Sequence, residues 1–250
     1  MEALSRTERE RIGDAMDGFL LLVRKPGETW DVERTARQVR QSIEQIAEGQ
    51  PVTVITEPEL VFAYVQASFA SDAHVRTQPA LTYIQGYAAR LTPNTPTMTA
   101  TSILDDVSDA LTSPAAARAL AELSGSFCAV FHDGQQTAVV LDRLLSRPVF
   151  TTTTPDAYCF ASDLRTLLPL PGVNTSLDDV AVVQFMRTEM IWEDRTLYRD
   201  IQVMPAASCW RFNHATGDAS TQIYWQIERL SPYKTLDEAI DAHVDAFVTA

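Results

Sequence analysis

The sequence predicts an α+β fold in which most strands are antiparallel. Two consecutive β-hairpins are indicated by four short β-prone runs separated by turn residues, at 127–132, 137–141, 148–153 and 158–161. An amphipathic helix is predicted over 30–48, because apolar residues recur there at steps of three and four before Gly49. With 250 residues and 46% apolar content, the chain can bury one large core or two small ones.

The other elements follow from the same local signals. Further strands are predicted at 18–23, 52–56, 60–69 and 80–91, with a last hairpin formed by 207–213 and 220–227. Further helices are predicted at 103–111, 115–123, 163–168, 177–187 and 236–247. Ser162 and Ser176 are the expected N-caps of the helices at 163–168 and 177–187, because a short hydroxyl side chain satisfies the first free N–H groups of a helix.

The charge balance narrows the possible partners. The chain has 33 acidic and 20 basic residues, for a net charge of -13, which argues against nucleic acid as a partner. No run of 18 or more apolar residues occurs, and the first twenty residues are charged, so neither a membrane span nor a signal peptide is predicted. The expected location is therefore the cytoplasm.

The basic residues are almost all arginine, since Lys25 and Lys234 are the two lysines of the chain. An acidic surface that is poor in lysine suggests a halophilic protein, whose negative charge keeps it hydrated in a high-salt cytoplasm. The alternative is an ordinary acidic soluble protein. We predict that transfer from molar salt to dilute buffer unfolds the protein, which circular dichroism would detect; an unchanged spectrum would favour the alternative.

The cysteines and histidines show no pattern of a metal or disulfide site. Three cysteines, Cys128, Cys159 and Cys209, lie in apolar strand-like runs and are predicted to be buried thiols. The four histidines are dispersed without ligand spacing, so no metal site is predicted. His132, beside a turn, is predicted to be a surface residue rather than a catalytic base.

Three groups of residues keep a fixed internal spacing in the centre of the chain. They are Leu123, Gly125, Phe127 and Asp133; then Asp142, Arg143, Arg147, Pro148 and Phe150; then Phe160, Ala161, Ser162, Asp163, Arg165 and Leu168. This order and spacing resemble the amidotransferase half of glutamine-dependent asparagine synthetases. Leu141 and Leu145 depart from the second motif of that family, where it has Arg and Gly. The resemblance extends over residues 120–230.

The resemblance implies a fold and a domain organisation. It implies the four-layer αββα sandwich of Ntn hydrolases, with two mostly antiparallel sheets. The expected organisation is an extension at 1–16, an amidotransferase-like domain at 17–230 and a linker helix at 231–250. In that family the helix leads to a synthetase domain, which uses ATP and Mg²⁺. No cofactor is therefore expected in this chain, and the expected partners are a synthetase domain, in cis or in trans, and a second copy in a homodimer.

The catalytic residues that the resemblance implies are missing. In the family, an N-terminal Cys attacks glutamine and its own α-amino group acts as the base. Here position 2 is Glu2, and Asp17 or Gly18 occupies the place before the first strand. The family's oxyanion-stabilising Asn-Gly corresponds to Gln85-Gly86, a degenerate substrate-binding position.

A charged cluster in the second motif leaves two interpretations open. Asp142, Arg143 and Arg147 either contact an anion or a neighbouring domain, or pair structurally near the sheet edge.

Three functions are compatible with these observations. The first is a non-catalytic amidotransferase-like domain that supports or gates the synthetase domain of an ATP-dependent amide-forming protein. The second is a glutaminase activated by unusual processing, which would expose Ser5 or Thr7 as the nucleophile. The third is a free-standing interaction module.

Overall fold

Two six-stranded antiparallel sheets form the centre of the computed structural model, which describes residues 17–66, 72–90, 100–113, 115–227, 233 and 235–249. The first sheet contains β1 (Gly18–Arg24), β2 (Val52–Thr56), β3 (Leu60–Val65), β8 (Phe150–Thr153), β9 (Ala157–Ala161) and β10 (Gln202–Val203), in the order β10-β8-β9-β1-β3-β2. The second contains β4 (Ala73–Arg76), β5 (Leu81–Arg90), β6 (Leu123–His132), β7 (Gln136–Leu141), β11 (Ser208–Asn213) and β12 (Ala219–Ile223), in the order β12-β11-β7-β6-β5-β4.

Within the described residues, three helices cover the outer faces of the sheets: α1 (Val32–Ala47), α2 (Ala100–Thr112) and α3 (Ala116–Ala121). The other described helices are α4 (Asp179–Thr188) and α5 (Leu236–Thr249), with a 3-10 turn at Leu164–Thr166. Asp31 caps α1, because its side chain accepts a hydrogen bond from the Arg34 N–H. The apolar stripe of α1, with Val39, Ile43 and Ile46 buried, faces the first sheet.

Three apolar layers hold the fold together and define four structural layers. One layer lies between the sheets and includes Phe19, Phe62, Tyr83, Val130 and Trp210. A second lies between the first sheet and α1, and a third packs α2 and α3 against the second sheet. The αββα arrangement predicted from the sequence is thus confirmed, with antiparallel pairing throughout the described strands.

Strand β1 lies in the middle of the first sheet, between β9 and β3. Its odd-numbered residues face the second sheet and its even-numbered residues face α1, so six of its seven residues are buried. At its start, Gly18 packs against α1, since a Cβ added there would lie 2.6 Å from Ile46 Cδ1 and would require that side chain to shift. The first residue of this strand is therefore an interior position.

Several local predictions are corrected by the structure. The cap of α4 is Asp178, not Ser176, and the turn at Leu164–Thr166 is capped by Asp163, not Ser162. Ser162 instead accepts a hydrogen bond from the Phe19 N–H, at 2.9 Å, and so fixes the start of β1. The predicted helix at 163–168 is a single 3-10 turn, and the short strand β4 was not predicted.

Some predictions fall outside the described residues. These include the extension at 1–16, with Glu2, Ser5 and Thr7, the end of the strand predicted at 60–69, and Lys234. The helix predicted at 236–247 is confirmed as α5, while the boundaries at 17 and 231 remain predictions. In the described ranges, no helix is both long enough and apolar enough to span a bilayer.

Candidate functional site

The candidate site lies where β1 begins, at the position expected for the nucleophile. Asp17 stands immediately before β1, and its carboxylate accepts a hydrogen bond from the Asp72 N–H at 2.8 Å. Its backbone carbonyl accepts a hydrogen bond from Gln85 Nε2 at 3.1 Å. The residue that heads the strand is therefore tied to two other segments of the second sheet.

Gln85 and Gly86 lie on β5 as predicted, and both use hydrogen-bond donors within the protein. Gln85 is almost fully buried and donates from Nε2 to the Asp17 carbonyl. The Gly86 N–H donates to the Asp72 carbonyl at 2.9 Å, which extends the pairing of β5 beyond β4. A side-chain amide and the backbone N–H that follows it are the two donors that an oxyanion would need at this position. Both already have acceptors.

The backbone at Gly86 requires glycine. Its φ is +98°, and a Cβ there would lie 2.0 Å from the Ser126 carbonyl oxygen on β6. Gly125, on β6, is crowded in the same way by β5: a Cβ on Gly125 would lie 2.0 Å from the Tyr87 carbonyl oxygen. The two glycines allow a close approach of β5 and β6 beside the candidate site.

An ion pair closes one side of the site. The guanidinium of Arg147 contacts the carboxylate of Asp72. Burial and the neighbouring Asp17 carboxyl raise the pKa of Asp72, while Arg147 acts in the opposite direction. Sequence analysis did not identify Asp72 as part of the site, because its partners are distant in the chain and no local motif marks it.

The thiol nearest to the site is not a suitable nucleophile. Cys128 Sγ lies 3.9 Å from Gln85 Oε1, and burial raises the pKa of this thiol to about 12. All three cysteines are buried and free, as predicted. The hydroxyl of Tyr83 is also buried here, without a hydrogen-bond partner in the described chain, and burial raises its pKa. Neither group provides an accessible anion at neutral pH.

The predicted charged cluster of Asp142, Arg143 and Arg147 separates into three different roles. Asp142 is buried and its carboxylate accepts hydrogen bonds from the N–H groups of Phe127, Leu144 and Ser146. Arg143 donates to the Ala121 carbonyl and lies 5.5 Å from the ring centre of Trp225. Arg147 alone of the three reaches the candidate site, through Asp72. Within the described part of the chain, the three do not pair with one another.

The prediction that His132 is a surface residue is wrong. Its side chain is 5% exposed, and Nδ1 lies 2.9 Å from the hydroxyl of Thr137. The same hydroxyl lies 2.8 Å from Nε2 of His214, so two histidines that are distant in sequence meet at one buried group. These residues lie away from Asp17 and do not belong to the candidate site. In the described ranges, no group of three or more metal-ligating side chains occurs.

Comparison with known proteins identifies one family. Residues 106–225 match the sequence profile of a family described as a glutamine amidotransferase domain. The match begins within α2 and ends after β12, so it includes Asp142, Arg143 and Arg147 but neither β1 nor Gln85-Gly86. No curated protein is detectably similar to the chain.

Several solved structures are similar at low sequence identity. Glutamine phosphoribosylpyrophosphate amidotransferase from B. subtilis, complexed with ADP and GMP, is 9% identical, with a TM-score of 0.48 over 84% of this chain and 50% of that one. The allosteric regulatory enzyme of purine biosynthesis is 9% identical, with a TM-score of 0.43 over 86% of this chain and 44% of that one. A glutamine aminotransferase class-II domain protein from Silicibacter pomeroyi is 10% identical, with a TM-score of 0.41 over 84% of this chain and all of that one.

The chain spans about half the length of the first two of these structures. Its two stacked antiparallel sheets, each covered by helices, have the Ntn-hydrolase-like architecture. Residues 106–225, slightly less than half of the chain, are similar to a glutamine amidotransferase domain.

Proposed function

We propose that this chain is a non-catalytic amidotransferase-like domain of an asparagine synthetase-like, ATP-dependent amide-forming protein. It would support or gate a synthetase domain, present in cis or in trans, rather than hydrolyse glutamine. The synthetase domain, and not this chain, would bind ATP and Mg²⁺. The main support is the internal use of the two expected oxyanion donors, because Gln85 donates to Asp17 and Gly86 donates to Asp72.

The residue at the head of β1 supports the same proposal. An Ntn nucleophile needs a hydroxyl or thiol and a free α-amino group on the same residue. Asp17 has a carboxylate there, and its nitrogen is part of a peptide bond to Met16. The buried thiol of Cys128 does not replace the missing nucleophile, because its raised pKa keeps it protonated.

A supporting role beside another domain is consistent with the surface around α4. Seven large apolar side chains are exposed between residues 177 and 192: Leu177, Val180, Val183, Phe185, Met186, Met190 and Trp192. Exposed large apolar side chains concentrated in one segment often mark a protein–protein contact. The α4 helix itself buries only Ala181 among its own residues, so most of its apolar side chains remain available to a neighbour.

We expect the purified full chain to release no glutamate from L-glutamine above a protein-free blank, because both a nucleophile and free oxyanion donors are missing. An enzyme-coupled glutamate assay checks this, and mass spectrometry of the same sample establishes its N-terminus. An unprocessed terminus with no glutamate release agrees with the proposal. Glutamate release from a chain cleaved ahead of Ser5 or Thr7 would instead support the glutaminase alternative.

A designed variant tests the effect of the missing nucleophile separately from that of the occupied oxyanion donors. Residues 2–16 are deleted and Asp17 is replaced by Cys, so that removal of Met1 leaves an N-terminal thiol and amine. We expect this variant to remain inactive, because the carbonyl of residue 17 still accepts from Gln85 and Gly86 still donates to Asp72. Recovery of glutaminase activity would show that the donors are free to bind an oxyanion.

A further inference from the structure

A polar pocket of about 460 Å³ lies at the end of β1 opposite to Asp17. The turn at 24–29 and the hairpin turn at 212–217 form its walls, with Glu59 between them. Because β1 has seven residues, the pocket lies roughly 20 Å from the candidate amidotransferase site. The two turns touch, since a Cβ on Gly217 would lie 2.8 Å from Pro26 Cγ. The volume is within the range of small-ligand sites.

His214 connects this pocket to the buried histidine pair. The β6–β7 register places His132 opposite Thr137, and β11 brings His214 to the other side of the same hydroxyl. Thr137 is fully buried, and its Oγ1 lies 2.9 Å from His132 Nδ1 and 2.8 Å from His214 Nε2. The His214 ring is half-buried and lines the pocket, so Nδ1 is the nitrogen available to a ligand.

The Thr137 hydroxyl bridges the rings of His132 and His214. This hydrogen-bonded bridge can form when the two histidines carry one added proton between them, but not when each carries one. A threonine hydroxyl has a single hydrogen, so it donates to one imidazole while it accepts from the other. When His214 is protonated, Nε2 donates to Thr137, whose hydroxyl then donates to neutral His132. A second proton, on His132, would leave that hydroxyl without an acceptor and place two cations on rings 5.3 Å apart. Burial disfavours the charged form of a histidine, so the proton goes to His214, which is half-buried and lines the pocket, rather than to His132, which is 5% exposed.

The charges around the pair decide what the pocket can bind. The lining contains two bases and two acids, Arg24, Lys25, Glu28 and Glu59. Charges from Glu57, Glu59 and Asp133 act on His132, and charges from His132, Glu59, Arg24 and Asp133 act on His214. The pocket lining is thus electrically balanced when His214 is neutral, and protonation of His214 gives it one net positive charge. Burial lowers the pKa of both histidines, so His214 is mainly neutral at neutral pH.

We propose that this pocket is a proton-gated site for a phosphate group, free or esterified, and that His214 takes up the gating proton. This proposal is independent of the function proposed for the other end of the molecule. Arg24, His214 and the hydroxyl groups of Thr29 and Thr216 can together contact more than two oxygen atoms. A phosphate group offers three acceptor oxygens where a carboxylate offers two, so it matches this set of donors better.

The test measures the pKa of His214 in the full chain by ¹⁵N NMR of its side chain. One titration contains inorganic phosphate and the other contains chloride at matched ionic strength. We expect phosphate to raise the pKa of His214 by about one unit, which corresponds to about tenfold tighter phosphate binding to the protonated form. Glycerol phosphate is titrated in parallel: tighter binding than inorganic phosphate indicates an organic phosphate, and equal binding indicates the free ion.

Two variants complete the test. In His214→Gln, phosphate affinity should be about tenfold lower than in the parent chain at acid pH, and this difference should disappear as the pH rises, because no proton can be taken up at this position. His243→Gln removes an exposed histidine of α5 that does not line the pocket, and should bind phosphate as the parent chain does. An unchanged His214 pKa in phosphate would overturn the proposal, and so would equal phosphate affinity in the parent and His214→Gln chains.

Discussion

Replacement of Gly86 by alanine should destabilise the fold by about 3 kcal/mol or more, combining strain at a positive φ with a backbone clash. The added Cβ would lie 2.0 Å from the Ser126 carbonyl oxygen and 3.2 Å from Phe127 Cα. These atoms belong to β6, which pairs with β5 over ten residues at the centre of the second sheet, so the neighbour cannot move without breaking that ladder. Denaturant unfolding followed by circular dichroism measures the change in the free energy of unfolding.

Gly134 is the matched control for this substitution. Its φ is +85°, close to that of Gly86, but an added Cβ would meet no atom within 4 Å. Gly134→Ala should therefore cost only the conformational strain, about 1 kcal/mol. If Gly86→Ala and Gly134→Ala lower the free energy of unfolding equally, then β5 and β6 do not approach each other closely enough at Gly86 to exclude a Cβ.

Sequence patterns predicted the elements whose signal is local. The helix from Val32 to Ala47 and the hairpins around 134 and 216 were predicted because periodicity and turn residues reveal them directly. Strand β4 was missed, since four residues with a single apolar valine between His74 and Arg76 carry no clear period. The cap of α4 was placed two residues early because Ser176 and Asp178 are both good capping residues.

His132 was predicted to be exposed because it lies beside a turn, but the four-layer architecture also covers this end of β6. In a sheet with one solvated face, alternation separates buried from exposed residues. Strand β6 is covered on both faces: Phe131 packs under α2 and α3, whereas Val130 packs between the sheets. Alternation along β6 therefore carries no information about exposure, and His132 is buried on the same face as Val130.

The candidate site was only partly predictable for a different reason. The motifs located Gln85 and Gly86 on the correct strand, and Asp17 at the head of β1. They did not indicate that Asp72 would accept from Gly86 and pair with Arg147, because this contact joins residues 75 positions apart. A single sequence does not show which long-range partner occupies a hydrogen-bond donor, such as the Asp72 carbonyl that accepts from the Gly86 N–H.

Replacement of Asp142 by alanine should be about as damaging as the glycine substitution, with a loss of roughly 3 kcal/mol or more in the free energy of unfolding. Asp142 is 1% exposed, and its carboxylate accepts from Phe127 N at 3.1 Å, Leu144 N at 2.8 Å and Ser146 N at 3.1 Å. Alanine would leave the buried N–H of Phe127 without its acceptor, which costs about 1–3 kcal/mol, and would also remove the acceptor that holds the N–H groups of Leu144 and Ser146 in the loop.

The comparison with Asp133→Ala tests this explanation. Asp133 also accepts hydrogen bonds from two backbone N–H groups, those of Gln135 and Gln136, but it lies on an exposed turn where water can replace it. Loss of the Asp133 carboxylate should lower the free energy of unfolding by at most about 1 kcal/mol. Asp142→Asn, which keeps one acceptor oxygen, should fall between the two. Because the loop that Asp142 fixes leads directly to Arg147, Asp142→Ala should also release the contact of Arg147 with Asp72, which would appear as a higher pKa of Asp72, since the guanidinium of Arg147 lowers that pKa. Equal stability of Asp142→Ala and Asp133→Ala would mean that the Asp142 carboxylate is not the organising acceptor of this loop.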